Sequence, residues 1–122
     1  MLQSHFQCQL EHLLQKDGNI KIFVVKILSM DVQKAIVDVL RVFPFVKKVI
    51  LFGSRARKDH RPRSDYDVAV DCPDARNEDW VDLVLAIEKI PTLLSIQLVC
   101  FNKVSTQLQE RICKEGVTLY ER

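Results

Sequence analysis

Glycine is scarce in this chain, with three in 122 residues, and proline little commoner, with four. No internal repeat and no low-complexity linker interrupts it, so the length reads as one domain with a modest core. No apolar run reaches the about 20 residues that cross a bilayer, and no basic-then-apolar leader opens the chain. The expectation is a soluble, cytoplasmic protein without membrane association. The four cysteines (Cys8, Cys72, Cys100 and Cys113) form no C-x-x-C pair. The three histidines (His5, His12 and His60) stand near no second ligand in sequence. That spacing argues against zinc, and cysteines scattered through apolar runs read as small buried hydrophobes in a reducing compartment. Eighteen Lys plus Arg against sixteen Asp plus Glu leave a formal charge of +2, so no global field draws the chain to nucleic acid.

What is present divides at about residue 30. Phe6, Leu10, Leu13 and Leu14 recur at helical spacing over residues 4–16, with Gly18 as terminator, and Ile20–Leu28 is rich in β-branched residues and reads as a strand. Residues 1–30 are therefore taken as an N-terminal extension, whose apolar side chains need the core or another subunit. From Asp31, a suitable N-cap, Val32, Ile36, Val39, Leu40 and Phe43 form one helical stripe that Pro44 stops. Lys47–Phe52 reads as a strand apolar on both faces, hence central in its sheet. A second strand is expected over Tyr66–Cys72, and then a helix capped by Asn77, with Trp80, Val81, Val84, Leu85 and Ile87 as its apolar positions. Leu93–Phe101 reads as a third strand. Ser105 or Thr106 caps a last helix, with Gln109 placed for a capping box, Val104, Leu108 and Ile112 facing inward and Gly116 at its end. Val117–Tyr120 makes a short final strand.

The chemistry concentrates in residues 48–71, KVILFGSRARKDHRPRSDYDVAVD. An apolar strand ends at Gly53-Ser54, a short helix and a basic loop follow, and Asp65-Tyr66-Asp67 opens the next strand. Strand alternation puts Asp65 and Asp67 on one side, about 6.5 Å apart along the backbone, where two carboxylates can converge on a hard cation such as Mg²⁺. Asp71, a further roughly 13 Å from Asp67, is too far to join them. Gly53 lets the backbone approach a phosphate, and Ser54 adds a hydroxyl at a helix start. Arg55, Arg57, Lys58, Arg61 and Arg63 against the single Asp59 suit a triphosphate or an acidic partner, or simply a solvated loop. Pro62 and the lack of apolar residues make that loop exposed and mobile. No aromatic residue interleaves these cations, so nucleic acid is not indicated. Without the glycine turn, the aspartate pair would read as an ordinary strand-end turn.

Gly53-Ser54, ten residues, then Asp65-x-Asp67 resembles the signature of polymerase-beta-like nucleotidyltransferases. The fuller string GSRARK…RPRSDYDVAV looks like their small bacterial and archaeal branch, the minimal nucleotidyltransferases. The resemblance covers residues 31–122 and implies an α/β (α+β) fold, a mixed β-sheet with helices mainly on one face. It implies that Asp65 and Asp67 bind two Mg²⁺ ions, that Gly53 and Ser54 hold the β- and γ-phosphates of ATP or another NTP, and that Arg55 neutralises further charge. A nucleoside monophosphate, AMP above all, would pass to a hydroxyl acceptor. In that branch the acceptor is a helical HEPN-type toxin, the pair forming a toxin–antitoxin module, so a hetero-oligomer, or a homo-oligomer, is compatible with the resemblance. Two positions depart from it. Lys58 stands where the family has glycine, and Gln97 stands where its third strand supplies a third carboxylate. Relatives read Ile-Asp-Leu-Val-Asp-Phe there, against Ile96-Gln97-Leu98-Val99-Cys100-Phe101 in this chain. An amide oxygen is a ligand but carries no charge and accepts no proton, so the alternative is a catalytically weak or inactive antitoxin or binding module.

Overall fold

The computed structural model describes residues 31–122; the helix and strand expected within the 1–30 extension lie outside that range. The elements run α1 (Val32–Leu40), β1 (Lys48–Phe52), α2 (Ser54–Arg57), β2 (Tyr66–Asp71), α3 (Asn77–Glu88), β3 (Ile96–Cys100), α4 (Thr106–Glu115) and β4 (Val117–Glu121). The four strands form one sheet in the order β3-β2-β1-β4. β1 pairs antiparallel with β2 and β4, whereas β2 and β3 run parallel, joined by the crossover through α3. The sheet is therefore mixed, and the fold is the α+β type expected.

Strand alternation divides the core in two. Val49, Leu51, Val68 and Val70 point to one face and pack with Val32, Ile36 and Leu40 of α1 and Leu83 and Ile87 of α3. Ile50, Phe52 and Ala69 point to the other face, where Ile112 of α4 covers them with Val99, Val104 and Leu108 around it. Two of the three longer helices thus share a face. Val49 to Phe52 are all buried, as befits a strand with neighbours on both sides.

Local signals account for most boundaries. Asp31 caps α1, its Oδ1 accepting the Lys34 amide at 3.1 Å. Ser105 rather than Thr106 caps α4, accepting from the Leu108 amide at 3.2 Å. Gln109 does not close a box; its side-chain amide donates to the Phe101 carbonyl at 2.7 Å. The cap of α3 is Arg76, not Asn77: the Arg76 N–H donates to the Asp79 carboxylate at 2.9 Å. Asp79 was not singled out because this motif closes from the third helical residue backward. Along α3 the stripe is also narrower than the apolar pattern, with Val81 and Leu85 exposed and Leu83 and Ile87 carrying the burial. Strand β3 is shorter than Leu93–Phe101, and Asp71, at the end of β2, accepts from Asn102 Nδ2 at 3.0 Å.

Candidate active site

Strand register brings the singled-out residues to one end of the sheet. Phe52, the last residue of β1, lies opposite Asp67, and Asp67 in turn lies beside Gln97 on β3. Asp67 and Gln97 therefore point to the same face, the one that α4 covers. Asp65 sits exposed just before β2, two residues from Asp67 and so on its side.

Gly53 follows Phe52 directly and turns the chain with φ 74° and ψ −155°, a conformation reserved for glycine. It has no room for a side chain: a Cβ there would collide with Asp67 Oδ2 and lie 3.2 Å from Asp67 Cγ. The Asp67 carboxylate thus fills the space that a side chain at residue 53 would need. Ser54, half-buried, opens α2, whose first amides are left over by the helical ladder. At the other end of α2, Lys58 adopts φ 65° and ψ 22°, the left-handed geometry for which glycine is best suited.

Arg55 has work that its position in the motif did not indicate. Its Nε donates to the Ser64 carbonyl at 3.0 Å and its Nη2 to the Pro62 carbonyl at 3.1 Å. Its guanidinium also lies 4.0 Å from the centroid of the buried Tyr66 ring. The loop expected to be mobile is exposed, but its returning limb is held by these contacts and by Ser64 Oγ, which accepts the Arg61 amide at 2.9 Å.

Two further cations reach the site. Arg57 Nη1 lies 3.2 Å from Glu115 Oε2 at the end of α4, and Arg111 Nε lies 3.4 Å from the same oxygen. Burial first, and then the Asp65 charge, push the Asp67 carboxyl above the ordinary carboxylate value, while Arg111 and Arg57 pull it partway back. Arg111 and Glu115 escaped the sequence reading because nothing local marks them; only the packing of α4 over the sheet brings them near residues some fifty positions earlier.

The donor set suits a hard cation. Two carboxylates that repel one another, with an amide oxygen on the next strand, are oxygen ligands of the kind Mg²⁺ takes. Among the described residues no three His, Cys, Asp or Glu side chains cluster as a metal site.

Comparison with known proteins agrees with this architecture. Residues 34–122 match the family model for the polymerase beta nucleotidyltransferase domain. Among solved structures, a toxin–antitoxin complex with AMP-PNP is 25% identical, with a TM-score of 0.62, covering 74% of this chain and 73% of that one. A tri-AMPylated Shewanella oneidensis HEPN toxin in complex with MNT antitoxin matches at 24% identity and a TM-score of 0.57, covering 75% of this chain and 71% of that one. A minimal nucleotidyltransferase matches at 24% identity and a TM-score of 0.54, covering 73% of this chain and 96% of that one. Comparison with curated proteins returned no match. Motif, strand register and family model coincide over the same residues, and the chain belongs to the polymerase beta nucleotidyltransferase family.

Proposed function

We propose that this protein binds Mg·ATP at Gly53, Ser54, Asp65 and Asp67 and transfers AMP to a hydroxyl of a protein partner, a HEPN-type toxin. The observation that carries this reading is the seating of Gly53 against the Asp67 carboxylate. A phosphate lying on the glycine turn then meets the metal-binding acid with nothing between them. Bound Mg²⁺ would neutralise the triphosphate and favour ionisation of the acceptor hydroxyl. The chain's own residues do the rest. The Gly53-Ser54 turn offers backbone and hydroxyl to the β- and γ-phosphates. Asp65 and Asp67 would hold the cation beside the triphosphate, where it would supply charge neutralisation as AMP passes to the acceptor hydroxyl and pyrophosphate leaves. Arg57 and Arg111 supply positive charge beside the site. A similar solved structure, a toxin–antitoxin with AMP-PNP, supports the nucleotide, and another, a tri-AMPylated HEPN toxin in complex with MNT antitoxin, supports the partner.

Gln97 favours a second reading, in which the protein holds nucleotide or partner but turns over slowly. Beside Asp67 it can donate an oxygen to a cation, yet it adds no charge and takes no proton from the attacking hydroxyl. Two measurements part the readings: calorimetric titration of ATP with Mg²⁺ into the wild type, Asp67→Asn and Gln97→Asp, and an assay of AMP transfer to the partner by the same proteins. Binding that requires Mg²⁺ and disappears in Asp67→Asn establishes the site, and AMP transfer to the partner by the same wild-type protein establishes the enzyme. Gln97→Asp is expected to tighten Mg·ATP about tenfold, equivalent to about 1.4 kcal/mol. Transfer rising by orders of magnitude only in Gln97→Asp supports the slow module, and absence of binding in all three removes the nucleotide from the proposal.

A further inference from the structure

Two cysteines that take no part in the site above meet at the far end of the same two strands. Cys100 closes β3 in register with Val70, and Cys72 lies two residues beyond Val70 on the same side. Their Sγ atoms are 3.8 Å apart. The backbone around them is well tied. The Cys72 N–H donates to Asn102 Oδ1 at 2.8 Å, Asn102 Nδ2 donates to Asp71 Oδ1 at 3.0 Å, and the Phe101 N–H donates to the Val70 carbonyl at 2.9 Å. The sulfurs must close from 3.8 Å to the about 2.05 Å of a disulfide bond. The two sulfurs differ in access. Cys72 is 2% exposed, and burial, with the Cys100 thiol next to it, pushes its thiol up to about 12. Cys100 is only partly covered.

We propose that Cys72 and Cys100 form an oxidisable dithiol, a modification site that a hydroperoxide converts into an intrachain disulfide joining β2 to β3. The more accessible Cys100 sulfur attacks one peroxide oxygen; the O–O bond breaks, leaving Cys100 as a sulfenic acid and releasing water. The Cys72 sulfur then attacks the Cys100 sulfur, the S–O bond breaks, and a second water leaves as the disulfide forms. The two thiols lose two electrons and two protons, and hydrogen peroxide accepts both in becoming two waters. The cross-link ties the strands that carry Asp67 and Gln97 at the end away from those residues. A dithiol reductant reverses it. Cys113, exposed and free, has no thiol beside it among the described residues and serves as an internal comparison. This inference does not depend on the nucleotide reading.

The test is to treat the full folded chain with hydrogen peroxide, alkylate without reduction, digest with trypsin and map the products by mass spectrometry. Residues 64–76 and 90–103, which carry Cys72 and Cys100, are expected as one disulfide-linked pair, minus two hydrogens, that dithiothreitol separates. In urea the same treatment should lose most of this pair, because proximity comes from the fold. Cys72→Ser should leave Cys100 trappable by dimedone as its sulfenic acid. The proposal is overturned if Cys113 oxidises fully while the two peptides remain separately alkylated, if the linkage runs instead to Cys8 or Cys113, or if the unfolded chain cross-links equally well.

Discussion

Asp67 is held in a form that the fold disfavours. Its carboxyl is raised by burial and by Asp65, so its folded pKa lies above the unfolded one, and its ionised form costs stability. That cost is complete at pH above the folded pKa, fades as pH falls through it and is gone below the ordinary value of 3.8. Without added metal, Asp67→Asn should therefore melt above the wild type at pH 7, with the gap closing towards acid; thermal melts across pH read both limbs. A melt equal to or below the wild type at pH 7 would contradict the electrostatic account. Lys58 is strained for a different reason. Its left-handed backbone crowds the Cβ, and Lys58→Gly should stabilise the protein by about 1 kcal/mol, seen as a higher urea midpoint with unchanged slope.

At the scale of elements, the chain's last residue in the sequence acts on the turn after the first described helix. The Arg122 guanidinium donates to three carbonyls: Nε to Val46 at 3.1 Å, and Nη2 to Arg41 at 3.0 Å and Phe43 at 3.2 Å. These carbonyls lie in the loop that turns α1 into β1, so Arg122 binds the β4 edge of the sheet to that loop. Arg122→Ala should cost about 1–2 kcal/mol in chemical denaturation, since charge-assisted bonds to partly shielded carbonyls are lost. Arg122→Lys, unable to reach three acceptors as a planar fork does, should recover only part of it. Helix α4 makes the corresponding connection on the other face: Ile112 seals the second core cluster while Glu115 reaches Arg57 of α2. The helix that completes the core also sets the charge beside the candidate active site.

At the scale of the whole molecule, two apolar layers that share β1 and β2 make the core of the described residues, and most of the ion pairs among them have at least one partner more than half exposed. Arg76 in its pair with Glu78 is three-quarters exposed, and so is the glutamate, at 75% and 75%. Such pairs contribute little and are screened by salt. Raising NaCl from about 0.05 to about 1 M should thus shift unfolding free energy by less than about 1 kcal/mol. A stability loss larger than that would mean that the network around Arg57, Glu115 and Arg111 contributes more than its exposure suggests.

Much of this protein was written locally in its sequence. The apolar run into Gly53-Ser54, the spacing to Asp65 and Asp67, and the helical stripe from Val32 each depend on neighbours a few residues away, and strand and helix periods expose them directly. The left-handed residue at Lys58 belongs here too, because a short helix must end before the loop. What the tertiary structure alone decided is which distant groups meet. Parallel pairing of β3 with β2 set Gln97 beside Asp67, and packing of α4 brought Arg111 and Glu115 to the site. The folding back of the basic loop drew Arg55 to Ser64, Pro62 and Tyr66, and the strand ends placed Cys72 against Cys100. Periodicity states which face a side chain takes; it carries no information on which face of which element will be opposite, since that follows from how the apolar layers close over the sheet as a whole.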